Sequence, residues 1–321
     1  MFKLSRAKRR VPHRAGREAT NRHRRLAHTP TTPYTPAMPE LPEVETVARG
    51  LRDTIMGRTI VQVILRAPKA SIVVSPSLAP DSFEQILTGR TIQAITRRGK
   101  NILISLSGDI TLWAHLKMTG HFFWKDKTES IAKHDLVIFD FAPRSDAGDH
   151  KHLRFNDYRR FGRLRIYRND ELWHQNGLKK LGPEPLEISS KEFIRLFRIR
   201  PRMIKAALLD QSFLAGIGNI YADESLHLSR IHPKRLTNSL SIKKLEELRR
   251  HIQKILRRAI KLNGTSVASY SGVNGQSGRF KKLLNAYGRE GEPCRFCGRP
   301  LVRQKIGARS AHFCPRCQRL K

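Results

Sequence analysis

All four cysteines of this 321-residue chain fall between positions 294 and 317. They stand as Cys294-x2-Cys297, a gap of sixteen residues, then Cys314-x2-Cys317. Two such pairs match a tetrahedral four-thiolate zinc site, closed to chemistry because four protein ligands leave no open position. A disulfide-stapled secreted domain would scatter its cysteines, so the pattern implies a reducing compartment and one structural Zn2+. The module is also basic, with Arg295, Arg299, Arg303, Arg309 and Arg316 around the cysteines. That charge suits phosphate contact.

The basic character extends over the chain, with 62 Lys+Arg against 27 Asp+Glu and a formal charge of +35. Such an excess favours polyanions, nucleic acid first among them, but names no activity. No apolar run approaches the ~20 residues of a membrane span. Residues 1–37 hold ten Lys/Arg and one acid, Glu18, and end in a Thr/Pro-rich tract. This leader has the composition of a disordered segment. Three readings stay open for it: an organelle transit peptide, an added nucleic-acid tail, or a start assigned upstream of Met38.

The stretch Met38-Pro39-Glu40-Leu41-Pro42-Glu43-Val44-Glu45 then opens an amphipathic helix. Val44, Val47, Leu51 and Ile55 mark its buried face, and Gly57 ends it. Strands are predicted over Thr59–Leu65, Ile92–Arg97, Ile102–Leu106, Ile110–His115, Leu136–Phe141 and Arg163–Tyr167, with a short helix at Ser82–Leu87. Strands that follow one another without crossover helices describe an antiparallel sandwich. Leu181-Gly182-Pro183-Glu184-Pro185-Leu186 reads as a rigid linker. Beyond it helices are predicted at Lys191–Ile199, Met203–Leu209 and Ser241–Leu262, and a glycine turn at Gly216–Gly218 feeds another. Gly264–Gly278 has the Gly/Ser composition of a mobile loop. The fold class is therefore α+β. Its domains are a leader at 1–37, a β-sandwich flanked by helices at 38–181, a linker at 182–187, a helical domain at 188–286 and a zinc finger at 287–321.

Read alone, Lys100 is a solvated basic turn and Met118 a core residue. Tyr158-Arg159-Arg160-Phe161-Gly162 is more telling, since an aromatic beside paired arginines suits a wedge that unstacks a base step. Taken in order, Met38–Thr46, Arg98-Gly99-Lys100, His115–Gly120, Arg159–Gly162, Leu181–Leu186, Gly218–Glu224 and the finger resemble the formamidopyrimidine-DNA glycosylase family of bacterial 8-oxoguanine repair enzymes. The resemblance covers residues 38 to about 319. Leu41 favours it over the related endonuclease VIII type, which usually has glycine there.

The resemblance implies a helix-two-turns-helix motif in the helical domain, and a bifunctional glycosylase/AP lyase for oxidised purines. Pro39 would be the nucleophilic amine, Glu40 the general acid or base, Lys100 the group assisting β-elimination, and Arg309 that for δ-elimination. Glu43 and Glu224 would shape the cleft. Met118, Arg159 and Phe161 would fill the hole left by the everted base, while His134, Arg159, Arg200, Lys205 and Asn219 would bind the kinked backbone. The loop from Thr265 to Gly278 would close over the base. The implied partner is double-stranded DNA carrying oxidised bases or abasic sites. The enzyme would be monomeric and would work in the bacterial cytoplasm, at the nucleoid, with organelle import through the leader as the alternative. Two rival functions remain: an endonuclease VIII-like enzyme for oxidised pyrimidines, and a non-catalytic zinc protein that binds nucleic acid.

Overall fold

A computed structural model of the chain describes residues 38–66, 72–78, 81–144, 150–265, 273, 275 and 277–320. The leader at 1–37 and most of the Gly/Ser-rich loop lie outside the described residues. Helix α1 (Leu41–Ile55) begins with Pro42 in its first turn and buries Val44, Val47, Ala48, Leu51 and Ile55. It ends before Gly57, whose φ of 72° suits a residue without a side chain.

The strands are β1 (Ile60–Leu65), β2 (Ile72–Val74), β3 (Ile92–Arg98), β4 (Asn101–Leu106), β5 (Ile110–His115), β6 (His121–Asp126), β7 (Asp135–Phe141), β8 (Lys151–Asn156) and β9 (Arg163–Arg168). They form two sheets, β1-β7-β8-β6 and β2-β9-β5-β4-β3. All pairings in them are antiparallel except β2 with β9. One core joins both sheets to α1 and to the short helix α2 (Phe83–Leu87). Ser82 caps α2, taking the Gln85 amide on its hydroxyl.

Three strands of the sandwich were not foreseen. In β8 the apolar pattern is masked by Arg154, which is buried yet donates to the carbonyls of Asp126, Glu129 and Ser130 and to the Asp135 carboxylate. Its partner β6 ends in Lys125-Asp126, and β2 has only three residues.

After two short helices, α3 (Asn169–Leu172) and α4 (Asn176–Lys179), the chain enters the helical half. There α5 (Ser190–Ile199), α6 (Ile204–Leu209), α7 (Asn219–Leu228) and α8 (Ile242–Lys261) enclose a second core. Leu41, the first residue of α1, packs in this second core and not with the sandwich. The chain closes with a hairpin, β10 (Val302–Ile306) and β11 (Arg309–Phe313), turning at Gly307 with φ 59°.

Candidate active site

The first turn of α1 is stitched into the helical half by two carboxylates. The Glu40 carboxylate accepts the backbone N–H groups of Gly218 (2.8 Å), Ile220 (2.9 Å) and Tyr221 (3.3 Å). These are amides at the N-terminus of α7, where orphan donors and the helix dipole favour an anion. Gly218 is required there, because a Cβ would stand 2.4 Å from the Glu40 carboxyl carbon. Glu43 takes the Glu40 amide (3.0 Å) on one oxygen, and the Tyr221 hydroxyl (2.7 Å) and Thr265 amide (2.8 Å) on the other. The Leu41 amide donates to Gly216 (3.0 Å). Pro39, immediately upstream, is therefore held buried at the junction of the two cores, with Met38 half-buried beside it.

Burial raises the Glu40 carboxyl from about 4.5 to about 7, against the opposing pull of Lys100. Lys100 is itself depressed by burial, opposed by Glu40 and Glu43 and reinforced by Arg309. The four groups thus share one field, and near neutral pH a proton can reside on Glu40. His115 is pushed down to about 3 by burial and by the charges of Lys117 and Lys100, so its imidazole is neutral. Its Nδ1 accepts the Lys117 amide. A cavity of about 410 Å3 opens here, lined by Met38, Lys100, His115, Lys117, Asp210 and Ser212 among others.

Lys100 follows a turn clamped from the linker. Glu184 accepts from Arg97 (3.1 and 2.8 Å), Arg98 (3.1 Å) and the Gly99 amide (2.6 Å). Gly99 has φ 58° and Ala215 only 3.3 Å from where its Cβ would be. The linker carboxylate thus fixes the lysine turn against the helical half. In the sequence Glu184 is only an acid between two prolines, and no local pattern marks the contacts with Arg97 and Arg98.

A second cluster lies at the loops after β5 and β8. The Arg159 guanidinium donates to the Met118 sulfur (3.3 Å) and lies 4.7 Å from the Phe161 ring centre. Phe161 is about half exposed (47%). Lys117 and Arg160, just before Met118 and Phe161, have φ of 54° and 57°, sharp turns that non-glycine residues rarely adopt. The three residues assigned to the wedge are therefore brought together. His134 is near them in the chain's connections, since its carbonyl accepts the Asp157 amide (3.0 Å), and its Nδ1 is buried without a partner.

The residues assigned to backbone contact in the helical half divide. Asn219 starts α7 and its Oδ1 is buried and unpaired. Arg200 is exposed at the end of α5, whereas Arg202 is engaged with Asp210 (3.0 Å) and stacks on Phe213. Lys205 does not fit an exposed phosphate contact. It is 1% exposed, donating to Asp223 (2.5 Å) and to the Ser310 carbonyl of the finger (2.6 Å). A buried lysine needs such partners, and both are satisfied internally. Glu224 is likewise satisfied internally: its carboxylate takes the amides of Asn285, Ala286 and Tyr287, securing the segment that leads into the finger.

In the finger, the four cysteine sulfurs lie within 4.8 Å of one another and are free thiols. A tetrahedron with Zn–S of ~2.3 Å has edges of about 3.8 Å, so the donor set fits one Zn2+. Outside it His227 bonds Gln318 (3.1 Å), and its other nitrogen lies 4.0 Å from the Cys294 sulfur. Asp223 accepts the His312 amide (2.9 Å), which joins finger to helices and brings exposed Arg309 within the field of Lys100.

Three family profiles match in chain order: the formamidopyrimidine-DNA glycosylase N-terminal domain over 38–164, its H2TH domain over 181–271, and the zinc finger found in FPG and IleRS over 291–320. The formamidopyrimidine-DNA glycosylase of Pediococcus pentosaceus is 44% identical over 280 residues, 87% of this chain and 98% of that protein. That of Ligilactobacillus salivarius is 42% identical with the same coverage. A Lactococcus lactis FPG mutant solved with Fapy-dG-containing DNA superposes with a TM-score of 0.79 at 36% identity, covering 88% of this chain and all of that one. The wild-type Lactococcus enzyme solved with oxidised-pyrimidine DNA gives 0.77 with the same identity and coverage. A sandwich, a helix-two-turns-helix domain and a four-cysteine finger in this order define a class of DNA glycosylase. The chain belongs to the formamidopyrimidine-DNA glycosylase family.

Proposed function

We propose that this chain excises oxidised purines, 8-oxoguanine and formamidopyrimidines, from duplex DNA and then nicks the abasic strand by β,δ-elimination. The observation that carries the reading is Glu40: a buried carboxyl next in sequence to Pro39, held by three amides at the start of α7, with burial raising it and Lys100 opposing. In this scheme the secondary amine of Pro39 attacks the sugar C1′ and the damaged base departs. The amine loses its proton, the C1′–O4′ bond opens to an iminium, and Glu40 supplies the proton that O4′ takes up. The iminium acidifies C2′, and loss of a C2′ proton, assisted by Lys100, expels the 3′-phosphate. A second elimination expels the 5′-phosphate, with Arg309 on that phosphate. Met118, Arg159 and Phe161 fill the gap in the stack, which offsets part of the cost of eversion. Zn2+ holds the finger hairpin that carries Arg309.

The scheme requires a free Pro39 nitrogen. Joined to Met38 that nitrogen is part of an amide, with its lone pair delocalised, and it cannot attack. The active species therefore begins at residue 39, produced by initiation at Met38 and methionine removal or by cleavage of the leader. The five-part division at 37, 181, 187 and 286 belongs to the same proposal, as does action at the bacterial nucleoid. No helix among the described residues is long and apolar enough to cross a membrane.

Specificity for oxidised pyrimidines is the second reading, favoured by the relative solved with such DNA. Strand cleavage assays on duplexes with 8-oxoguanine, a formamidopyrimidine or an oxidised pyrimidine opposite cytosine or adenine separate the two. Faster cleavage of the purine lesions supports the proposal; preference for the pyrimidine overturns it. Binding with no cleavage of any duplex by protein beginning at Pro39 would leave a non-catalytic nucleic-acid-binding protein.

A further inference from the structure

Asp157 stands at the end of β8 and is completely buried (0%), yet among the described residues no cation pairs with it. Its carboxylate is held by hydrogen bonds from two loops, and its backbone amide reaches a third. One carboxylate oxygen accepts the Thr119 hydroxyl and the Arg159 amide (3.1 Å). The other accepts the Gly162 amide (2.6 Å). Its backbone carbonyl takes the Arg160 amide (3.2 Å), and its own amide donates to His134 (3.0 Å). Thr119 follows Met118, and Arg160 and Gly162 flank Phe161. One side chain therefore bonds the Arg159 amide and a chain neighbour of each of Met118 and Phe161.

An aspartate that merely closed its own turn would need only the amide two residues on. The Thr119 bond is different, because it ties the loop after β5 to the loop after β8. Gly162 has the same logic: a Cβ there would lie 3.0 Å from the Asp157 oxygen and 2.7 Å from Phe155. The absent side chain admits the carboxylate. Without the Asp157–Thr119 bond, the hold of the loop after β8 on Met118 would fall to the weaker contact between the Met118 sulfur and Arg159.

We infer that Asp157 is the positioning residue of the wedge, setting Met118 and Phe161 in register so that they enter the duplex as one unit. The inference rests on the duplex-opening reading above. It concerns preorganisation, which is realised only when DNA is bound and the stack has to be held open.

Two variants test it. Asp157→Asn keeps the shape but turns one acceptor into a donor facing donors; Thr119→Val removes only the Thr119–Asp157 bond. Zinc-loaded protein is titrated with a duplex containing a tetrahydrofuran abasic analogue, with 2-aminopurine in the facing strand as a reporter of unstacking. The same tetrahydrofuran strand is also titrated without its complement. Both variants are expected to weaken duplex binding by about 10-fold and to lose most of the 2-aminopurine rise, while single-strand binding changes less than about 2-fold. Equal loss on single strand and duplex would reduce Asp157 to a folding role and overturn the inference. So would duplex binding and fluorescence unchanged from the parent. If the parent protein itself does not distinguish the tetrahydrofuran duplex from undamaged duplex, the glycosylase reading fails instead.

Discussion

The proposed catalytic cleft around Pro39 and the proposed wedge around Phe161 would solve opposite problems. The cleft is assembled from both halves of the molecule: Glu40, Glu43 and Lys100 from the sandwich side, the α7 amides, Thr265 and Arg309 from the other. Glu40 and Glu43 are buried and Lys100 is half-buried, with Arg309 exposed at the rim; burial is what moves Glu40 up and Lys100 down. The wedge comes from two loops of the sandwich, its aromatic is half exposed, and a single buried aspartate organises it. On the proposed roles, proton transfer in the cleft would use groups already desolvated, whereas the wedge would acquire its apolar surroundings from the DNA. The contrast teaches that the cleft depends on domain closure and the wedge on local turn geometry.

The contrast can be tested by damaging each side separately. Glu40→Gln removes the proton donor and should lower base excision by roughly 10²–10⁴-fold at neutral pH. In the parent, excision should rise with pH as the Pro39 amine, with an ordinary pKa of about 8, loses its proton. It should fall as pH passes through about 7 and Glu40 loses its own. The opposed limbs give a maximum between them, and Glu40→Gln should abolish the alkaline fall. Single-turnover rates across pH measure both, and an unchanged alkaline limb would deny Glu40 its role.

Zinc removal acts on the far side of the cleft. Structural zinc contributes on the order of 10 kcal/mol to finger folding. Chelation should therefore abolish duplex binding while near-ultraviolet dichroism shows the sandwich still folded. Full-rate nicking of abasic DNA by the chelated protein would show that the finger has no such part.

Phe161→Ala should reduce duplex affinity by about 10-fold, the scale of one stacking contact, and leave single-strand affinity nearly unchanged. Lys205→Met sharpens the boundary between site and scaffold. A phosphate contact would lower the salt slope of binding by about 1. The buried pair with Asp223 predicts instead an unchanged slope and a protein destabilised by about 3 kcal/mol, read by thermal denaturation.

Periodicity made α1, α8 and most strands of the sandwich legible, because their apolar faces repeat along the chain. It failed at β8, where Arg154 finds its partners among carbonyls that no local pattern reveals. The cysteine spacing predicted the sulfur cluster, and family motifs brought Met118, Arg159 and Phe161 together. Motifs could not say that Lys205 points inward or that Glu224 secures the approach to the finger, since burial is a property of packing. Asp157 and Glu184 were missed for a related reason. Each bonds amides and side chains distant in sequence, and an aspartate near a turn or a glutamate between prolines looks ordinary until those donors converge on it.

The proposed scheme turns on the nitrogen of Pro39, so the decisive measurement is where the DNA becomes attached. Protein beginning at Pro39 and the full 321-residue chain are each incubated with an 8-oxoguanine duplex and borohydride, then digested for peptide mass spectrometry. The expected result is a reduced sugar adduct on the Pro39 nitrogen of the shorter protein and none on the full chain. An adduct on Lys100 or another lysine, or equal trapping of the full chain with Met38 still attached, would contradict it.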